Sequence, residues 1–367
     1  METNYQSDLA IHPGEYLDEI LEDIGMSQAE LSNRIGRPKQ AINEIIKGKK
    51  SITSTTALEL EDVLGVPSHI WLGLEGEYQI VLARAEELKQ MEEETKLLPN
   101  FPYADLVNLG FVKVTRKAVE KVDELKRFFG VAKLVQIAHV RDFEPAFRVS
   151  NYKEVSHEAI ATWMQAGRLQ AKAIDTAQFN KKRLKELLPE IKNMMNLKEI
   201  NESIDGLRSV LASCGVALVV LPHFKKTKVH GATFTIDFEN KAVILMTIRG
   251  SYSDIFWFSL FHELGHIVLH NKREIFLEDG YNNPKLEKQE EEANQFAKDF
   301  LIPANELKKF IKNGDLSKNA VKSFAKELGI KPSIVVGRLM HEEIVKFNNY
   351  ELNSLRDKYK WVNDGKK

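Results

Sequence analysis

The stretch IFWFSLFHELGHIVLH at residues 255–270 is apolar except for Ser259, Gly265, one glutamate and three histidines. Such a run predicts a helix in a protein interior. His262 and His266 are four residues apart, so both imidazoles project from one helix face and can reach one zinc ion about 2.0–2.1 Å from each nitrogen. Glu263 lies beside the first histidine and can take a proton from the bound water. The pattern predicts a zinc-dependent peptidase site with Glu263 as the catalytic residue.

A chance match on a core helix is the alternative interpretation. The three-residue pattern arises by accident in roughly one chain per hundred of this length. However, two imidazoles and a carboxylate buried without a partner would cost several kcal/mol. The apolar setting of the motif therefore favours a metal site.

A catalytic zinc ion needs a third protein ligand and one open position. The candidate donors lie in the segment EEEANQFA at residues 290–297, whose buried stripe continues to positions 300 and 301. Helical spacing places Glu290 and Glu292 near that stripe and Glu291 towards solvent. Both remain open as ligands on this argument. His270 continues the face of His266 and is either a supporting group for the metal or a buried structural histidine.

The residues before the motif predict a small sheet. The run GVALVVLP at 215–222 reads as a buried strand ended by proline, and two further strand patterns follow at 230–237 and 241–248. Residues 238–240 form a polar turn between them, and helical patterns resume beyond 253. The predicted fold class is mainly α with a small, partly antiparallel β-sheet (α+β).

Residues 214–303 resemble the ImmA/IrrE family of metallopeptidases. The resemblance is carried by the strands, the run WFSLFHELGH at 257–266 and the pattern from Glu290 through FLIP at 300–303. It implies a gluzincin-like peptidase domain in which a glutamate three residues before an alanine is the third ligand, which selects Glu290 over Glu292. No motif position departs from the family pattern.

The first 75 residues predict a bundle of about five short helices with a helix-turn-helix unit. Ser27 and Glu30 form a capping box that starts one helix, and Pro38 suits the first position of the next. Leu31 and Ile35 of the first helix, and apolar residues at 41, 42, 45 and 46 of the second, are expected to face a core.

Charge indicates a nucleic-acid contact in this unit. Residues 1–75 hold six basic and thirteen acidic residues, yet all six basic residues lie between 34 and 50. We expect this segment to meet phosphates and base edges of DNA. The candidate DNA-binding residues are Gln28, Arg37, Lys39, Gln40, Asn43 and Lys50. A helical protein-binding or dimerisation module is the alternative.

About the first 80 residues resemble XRE-type repressors, in particular the HigA antitoxin branch. The motifs are HPGE at 12–15, SQAEL at 27–31, IIKGK at 45–49, ALEL at 57–60 and WL at 71–72. The resemblance implies double-stranded operator DNA as a partner, bound by a homodimer. A second segment with a helix-turn-helix pattern, at 324–339, carries mixed charge, and we expect it to pack on the peptidase domain.

Length and composition predict several domains in a cytoplasmic protein. The chain has 367 residues, a net charge of −1 and one cysteine, Cys214, which lies in an apolar run and is expected to be a buried, inert thiol. Neither a leader peptide nor a membrane-spanning stretch is expected. The expected divisions are a helix-turn-helix domain at 1–80, a mostly helical middle region at 81–210, the peptidase domain at 211–345 and a tail at 346–367.

Taken together, the two resemblances imply a DNA-binding regulator with a zinc endopeptidase that cleaves a repressor or another regulatory protein. The alternative is a HigA-like antitoxin or autorepressor that binds a toxin and whose zinc site is idle or structural. A third possibility is a zinc hydrolase that acts on something other than protein.

Overall fold

The computed structural model describes residues 10–148, 155–197, 199–236, 240–248, 252–270, 276–277 and 284–359. The expected fold class, mainly α with a small sheet, is confirmed. The helices are α1 (Pro13–Asp23), α2 (Gln28–Ile35), α3 (Lys39–Ile46), α4 (Ser54–Leu64), α5 (Ser68–Glu94), α6 (Tyr103–Asn108), α7 (Ala118–Phe129), α8 (Glu144–Arg148), α9 (His157–Lys172), α10 (Lys181–Asn193), α11 (Ile200–Ala212), α12 (Ser253–Leu269), α13 (Pro284–Leu301), α14 (Ala304–Lys312), α15 (Lys318–Glu327), α16 (Pro332–His341) and α17 (Tyr350–Asn353). The strands are β1 (Val216–Leu221), β2 (Gly231–Ile236), β3 (Lys241–Thr247) and β4 (Phe276–Leu277).

The chain divides into two compact units, residues 1–96 and 97–367. This differs from the boundary expected at residue 80, which falls inside the continuous helix α5. The middle region is not a separate domain either. Helices α10 and α11 share one hydrophobic core with β1, β3 and α12, because their apolar stripes are buried against the same sheet and helix.

The first unit contains the five expected helices. Ser27 accepts a hydrogen bond from the Glu30 backbone N–H at 3.1 Å and caps α2, as the capping box predicts. Gly36 then adopts a left-handed conformation with φ of 68°, which lets the chain turn directly into α3. Helix α3 begins at Lys39, one residue later than expected, with Pro38 as its N-cap. The core of this unit includes Leu31 of α2 and Ile42 and Ile45 of α3.

The second unit is built on a four-stranded sheet in the order β1-β3-β2-β4. Strand β3 pairs in parallel with β1 and antiparallel with β2, as a partly antiparallel sheet requires. The two-residue strand β4, which the sequence pattern did not predict, pairs with β2. Successive residues of β3 face opposite sides. Ile244 belongs to the core shared with α12, while Leu245 lies against Gly167 of α9.

Helix α12 lies between this sheet and the helices that follow it. It contacts β2, β3, α13 and α16. The segment at 324–339, which has a helix-turn-helix pattern, forms α15 and α16 and is buried in the core of the second unit, as expected. Tyr359 is also buried and accepts a hydrogen bond from Trp257 Nε1 at 2.8 Å, so the part of the expected tail up to this residue belongs to the folded unit. Residues 360–367 lie outside the described part of the chain. Among the described residues, no helix is both long and apolar enough to cross a membrane.

Candidate metal centre and nucleic-acid interface

Helix α12 carries its polar motif inside the protein. The exposed fractions of His262, Glu263 and His266 are 1%, 0% and 2%. Because apolar residues surround the helix, these three groups depend on one another and on neighbouring polar side chains for compensation. A buried polar cluster of this kind is typical of a functional site.

Helix α13 brings one carboxylate to both histidines. Glu290 Oε2 lies 3.1 Å from His262 Nε2, Glu290 Oε1 lies 3.3 Å from His266 Nε2, and the two Nε2 atoms are 3.0 Å apart. Donor atoms on a tetrahedral ion lie about 3.3 Å apart when each bond is about 2.0–2.1 Å long. The triad has donors of the right chemistry at nearly this spacing, so it fits a zinc ion.

The protonation states of the triad also suit a metal. Burial lowers the pKa of His266 to about 4, although hydrogen bonding to Glu290 opposes the shift. Burial by itself would raise the pKa of Glu290, but its hydrogen bonds with His262 and His266 outweigh that effect and bring the pKa to about 2. At neutral pH, His266 is therefore neutral and Glu290 is ionised, which are the forms that coordinate metals.

The other ring nitrogen of each histidine has its own partner. His262 Nδ1 lies 3.0 Å from Asn294 Oδ1, and this contact holds the ring with Nε2 towards Glu290. His266 Nδ1 lies 3.1 Å from His270 Nδ1, whose ring in turn places Nε2 3.0 Å from Glu292 Oε2. These contacts orient both imidazoles.

Helix α13 therefore separates the two glutamates that the sequence left open. Glu290 reaches His262 and His266, whereas Glu292 reaches His270. Asn294 is one helical turn beyond Glu290 and lies on the same face. Among the two glutamates, the one that contacts both histidines is the one that the family resemblance favoured, and His270 contacts His266 and Glu292.

Glu263 points towards the start of strand β2. Thr233 Oγ1 donates a hydrogen bond of 2.5 Å to Glu263 Oε2. A Cβ atom at Gly231 would lie 2.4 Å from Glu263 Oε1, so only glycine allows the strand to approach this carboxylate so closely. The strand thus holds Glu263 in one orientation. Neither Thr233 nor Asn294 is predicted from the sequence, although strand alternation and the four-residue spacing from Glu290 are signals that point to them.

A cavity of about 520 Å³ opens beside the triad. His262 and Glu290 form one part of its lining, and the rest comes from His230 before β2, from other residues of α12, α13 and α16, and from the C-terminal segment. Within it, Asp254 forms an ion pair with Arg356, whose Nη2 lies 2.7 Å from Asp254 Oδ2. A volume of this size accommodates a ligand or a segment of peptide.

The helix-turn-helix unit presents only some of its predicted DNA-binding residues at the surface. Lys39, Gln40 and Lys50 are exposed, and Gln28 and Asn43 are half-buried. Arg37 forms a half-buried ion pair with Glu59 of α4, so its positive charge is compensated inside the domain. Its guanidinium connects the turn between α2 and α3 to α4.

Lysines provide the remaining positive charge around α3. Lys39 is the first residue of the helix, Lys47, Lys49 and Lys50 follow its end, and all four are exposed. Among the described residues, none of these four forms an ion pair, whereas Arg34 pairs with Glu30 at 2.8 Å. Exposed lysines without a carboxylate partner are suited to contact phosphates.

Cys214 is fully buried, as the sequence predicts. Burial raises the pKa of its thiol to about 11. A thiol that stays protonated at neutral pH is a poor nucleophile and a poor metal ligand.

Two parts of the chain match known families. Residues 219–340 match the peptidase M78 family, described as "IrrE N-terminal-like domain", and residues 17–71 match a family described as "Helix-turn-helix". "Virulence-associated protein I" of Dichelobacter nodosus is 34% identical over 79 residues, which are 21% of this chain and 73% of that protein.

Similar solved structures cover the N-terminal residues. An addiction module antidote protein of a HigA family from Coxiella burnetii shares 35% identity, covering 23% of this chain and 94% of that chain with a TM-score of 0.22. The Pseudomonas aeruginosa antitoxin HigA, solved with the higBA promoter, shares 31% identity over 23% of this chain and 95% of that chain, also with a TM-score of 0.22.

Proposed function

Because the chain belongs to the XRE-type helix-turn-helix family through residues 17–71 and to the IrrE N-terminal-like peptidase family through residues 219–340, we propose that it is a DNA-binding transcriptional regulator with a zinc-dependent endopeptidase site. The observation that carries the peptidase proposal is the convergence of His262, His266 and Glu290 beside the buried carboxylate of Glu263. We place its action in the cytoplasm, on operator DNA and on a regulatory protein such as a repressor.

In this proposal His262, His266 and Glu290 would hold the metal, and two of them, His262 and Glu290, line the cavity. When bound there, zinc would supply a Lewis acid for water and for the peptide carbonyl. Three protein ligands with one open position are typical of catalytic zinc sites, whereas structural sites use four. His262→Ala or His266→Ala should therefore remove most of the zinc that elemental analysis finds in the purified protein.

Glu263 is the proposed general base. Its carboxylate takes a proton from the attacking water and passes that proton to the nitrogen of the leaving amine. The hydrogen bond from Thr233 fixes Oε2 and so limits rotation of the carboxylate. The fully buried position of Glu263 excludes competing bulk water.

The proposed DNA contact is made by α2 and α3 of the first unit. Lys39, Lys47, Lys49 and Lys50 would contact phosphates, while Gln40 and its neighbours would meet base edges. One such module reads a half-site, so we propose that a homodimer binds the operator.

Incubation of the zinc-loaded protein with the products of its neighbouring genes, followed by mass spectrometry of the fragments, tests the peptidase proposal. We expect a single dominant cut in a regulatory protein, and no cut with Glu263→Gln. If neither protein cuts any candidate while both bind operator DNA and a neighbouring toxin, the antitoxin alternative is the correct one. Cleavage of a non-protein substrate instead would identify a different zinc hydrolase.

A further inference from the structure

The cavity beside the metal triad has two chemically different parts. One part of the lining is apolar, and the other consists of charged side chains of α13 and α16, Lys298 and Arg338, which lie near His341. The apolar lining includes Phe258, Leu301, Ile302, Ile334 and Met340. Phe258 packs between the rings of His262 and His341, with centroid distances of 6.4 and 6.3 Å. The cavity therefore leads from the metal triad, across an apolar surface, to His341.

One face of α13 forms a row along this cavity. Glu290, Asn294 and Lys298 are spaced four residues apart and all line it. Glu290 to Lys298 is eight residues, which is about 12 Å along a helix axis. An extended peptide covers this distance in about four residues. A substrate side chain a few residues from the scissile bond can therefore reach Lys298.

Apart from Glu290 of the triad, the described charged groups that line the cavity are compensated, with one exception. Asp254 and Arg356 neutralise each other, and Arg338 Nε lies 2.6 Å from Glu342 Oε1. The Lys298 ammonium group, in contrast, forms no ion pair or hydrogen bond with any residue in the described part of the chain.

The pKa of His341 reflects the electrostatic potential at this part of the cavity. Burial lowers the pKa of His341, and repulsion by Lys298 and Arg338 lowers it further, against the attraction of Glu342. Two cations thus act on the same point, and only Arg338 has a carboxylate of its own. An anion from outside the chain would be stabilised here, because it would supply the missing opposite charge.

We propose that this part of the cavity is a specificity subsite in which Lys298 binds a carboxylate of the peptide substrate, within about four residues of the scissile bond. The proposal rests on the proposed peptidase function. The apolar middle of the cavity selects a hydrophobic residue between the scissile bond and the carboxylate. The carboxylate belongs either to an Asp or Glu side chain or to the end of the substrate chain.

A proteome-derived peptide library tests the proposal with the full-length, zinc-loaded protein. Mass spectrometry of the products should show Asp or Glu enriched at one fixed position near the cut, or cuts at a fixed distance from the chain end. Lys298→Met should abolish that preference. Lys308→Met is the matched control, because Lys308 is exposed on α14, forms no ion pair within the described residues and does not line the cavity.

One cleaved peptide is then resynthesised with Gln in place of the acidic residue, and separately with an amidated C-terminus. One of the two changes should lower kcat/KM about tenfold, the size expected for a single charge-assisted contact at a partly exposed site. That change identifies the source of the carboxylate. The same change should have no effect on the Lys298→Met protein. An unchanged preference in Lys298→Met would overturn the proposal while leaving the peptidase function intact.

Retention of the same library on immobilised Glu263→Gln protein provides a readout that does not need turnover. Retained peptides should carry the acidic preference, and the double variant with Lys298→Met should lose it. In one outcome the wild type cuts no peptide, while the Glu263→Gln protein still retains peptides with the acidic preference, and only when Lys298 is present. That outcome would support the subsite and refute the peptidase function. If peptides are neither cut nor retained, the subsite proposal is wrong as well.

Discussion

Replacement of Glu263 by glutamine separates the chemistry of the site from its architecture. The side chain is fully buried, and glutamine has the same shape, so it fits the space between Thr233 and Gly231 without repacking. The amide can still accept the hydrogen bond from Thr233 through its oxygen, but it cannot take a proton from water. The three proposed metal ligands are unchanged. We therefore expect normal zinc content and a normal fold.

The expected loss of rate follows from the proton transfer alone. A general base contributes roughly 10²- to 10⁴-fold, which corresponds to about 3–5 kcal/mol in the activation free energy. Single-turnover cleavage of the identified protein substrate, followed by mass spectrometry, measures this loss directly. Elemental analysis and circular dichroism of the same samples establish that zinc and fold are retained.

Glu291→Gln provides the matched control, because it makes the same chemical change at an exposed position of α13. We expect this variant to keep the full rate. A Glu263→Gln protein that cleaved as fast as wild type would refute the proposed role of the carboxylate. A loss of zinc in that variant would instead mean that Glu263 contributes to metal binding.

Three further predictions concern the ligands, the DNA contact and the thiol. Glu290→Gln should lower zinc content more than Glu292→Gln, since only Glu290 reaches both histidines, and elemental analysis showing the reverse order would assign the ligand to Glu292. Lys39→Ala should weaken operator binding and reduce the slope of log K against log salt by about 1, and an unchanged slope would argue against a phosphate contact. Arg37→Ala should instead lower the free energy of unfolding by about 1 kcal/mol, because it removes a half-buried ion pair. Cys214 should react with iodoacetamide only after unfolding. Burial raises the pKa of the Cys214 thiol from 9.0 to about 11, so the native state holds the thiol proton at pH values where the unfolded chain has lost it. The contribution of this group to the free energy of unfolding should therefore fall as pH rises through that range. Rapid alkylation of the native protein would contradict this account.

Much of the site could be predicted because its signals are local. His262 and His266 share a face through helix geometry alone, and Glu263 is their neighbour in the chain. The capping of α2 by Ser27 depends on residues within one helical turn. The family motifs added Glu290, and both family matches confirm the resemblances on which that choice rested.

Tertiary structure decided what local signals could not reach. The rotation of α13 against α12 places Glu290 at His262 and His266 and places Glu292 at His270, a choice that helical spacing left open. Thr233 meets Glu263 from a strand thirty residues away, and Arg356 meets Asp254 across more than a hundred. Such contacts depend on which surfaces are buried together. Residue type and spacing determine which chemistry a side chain can perform, but the packing of distant segments determines which partner it contacts.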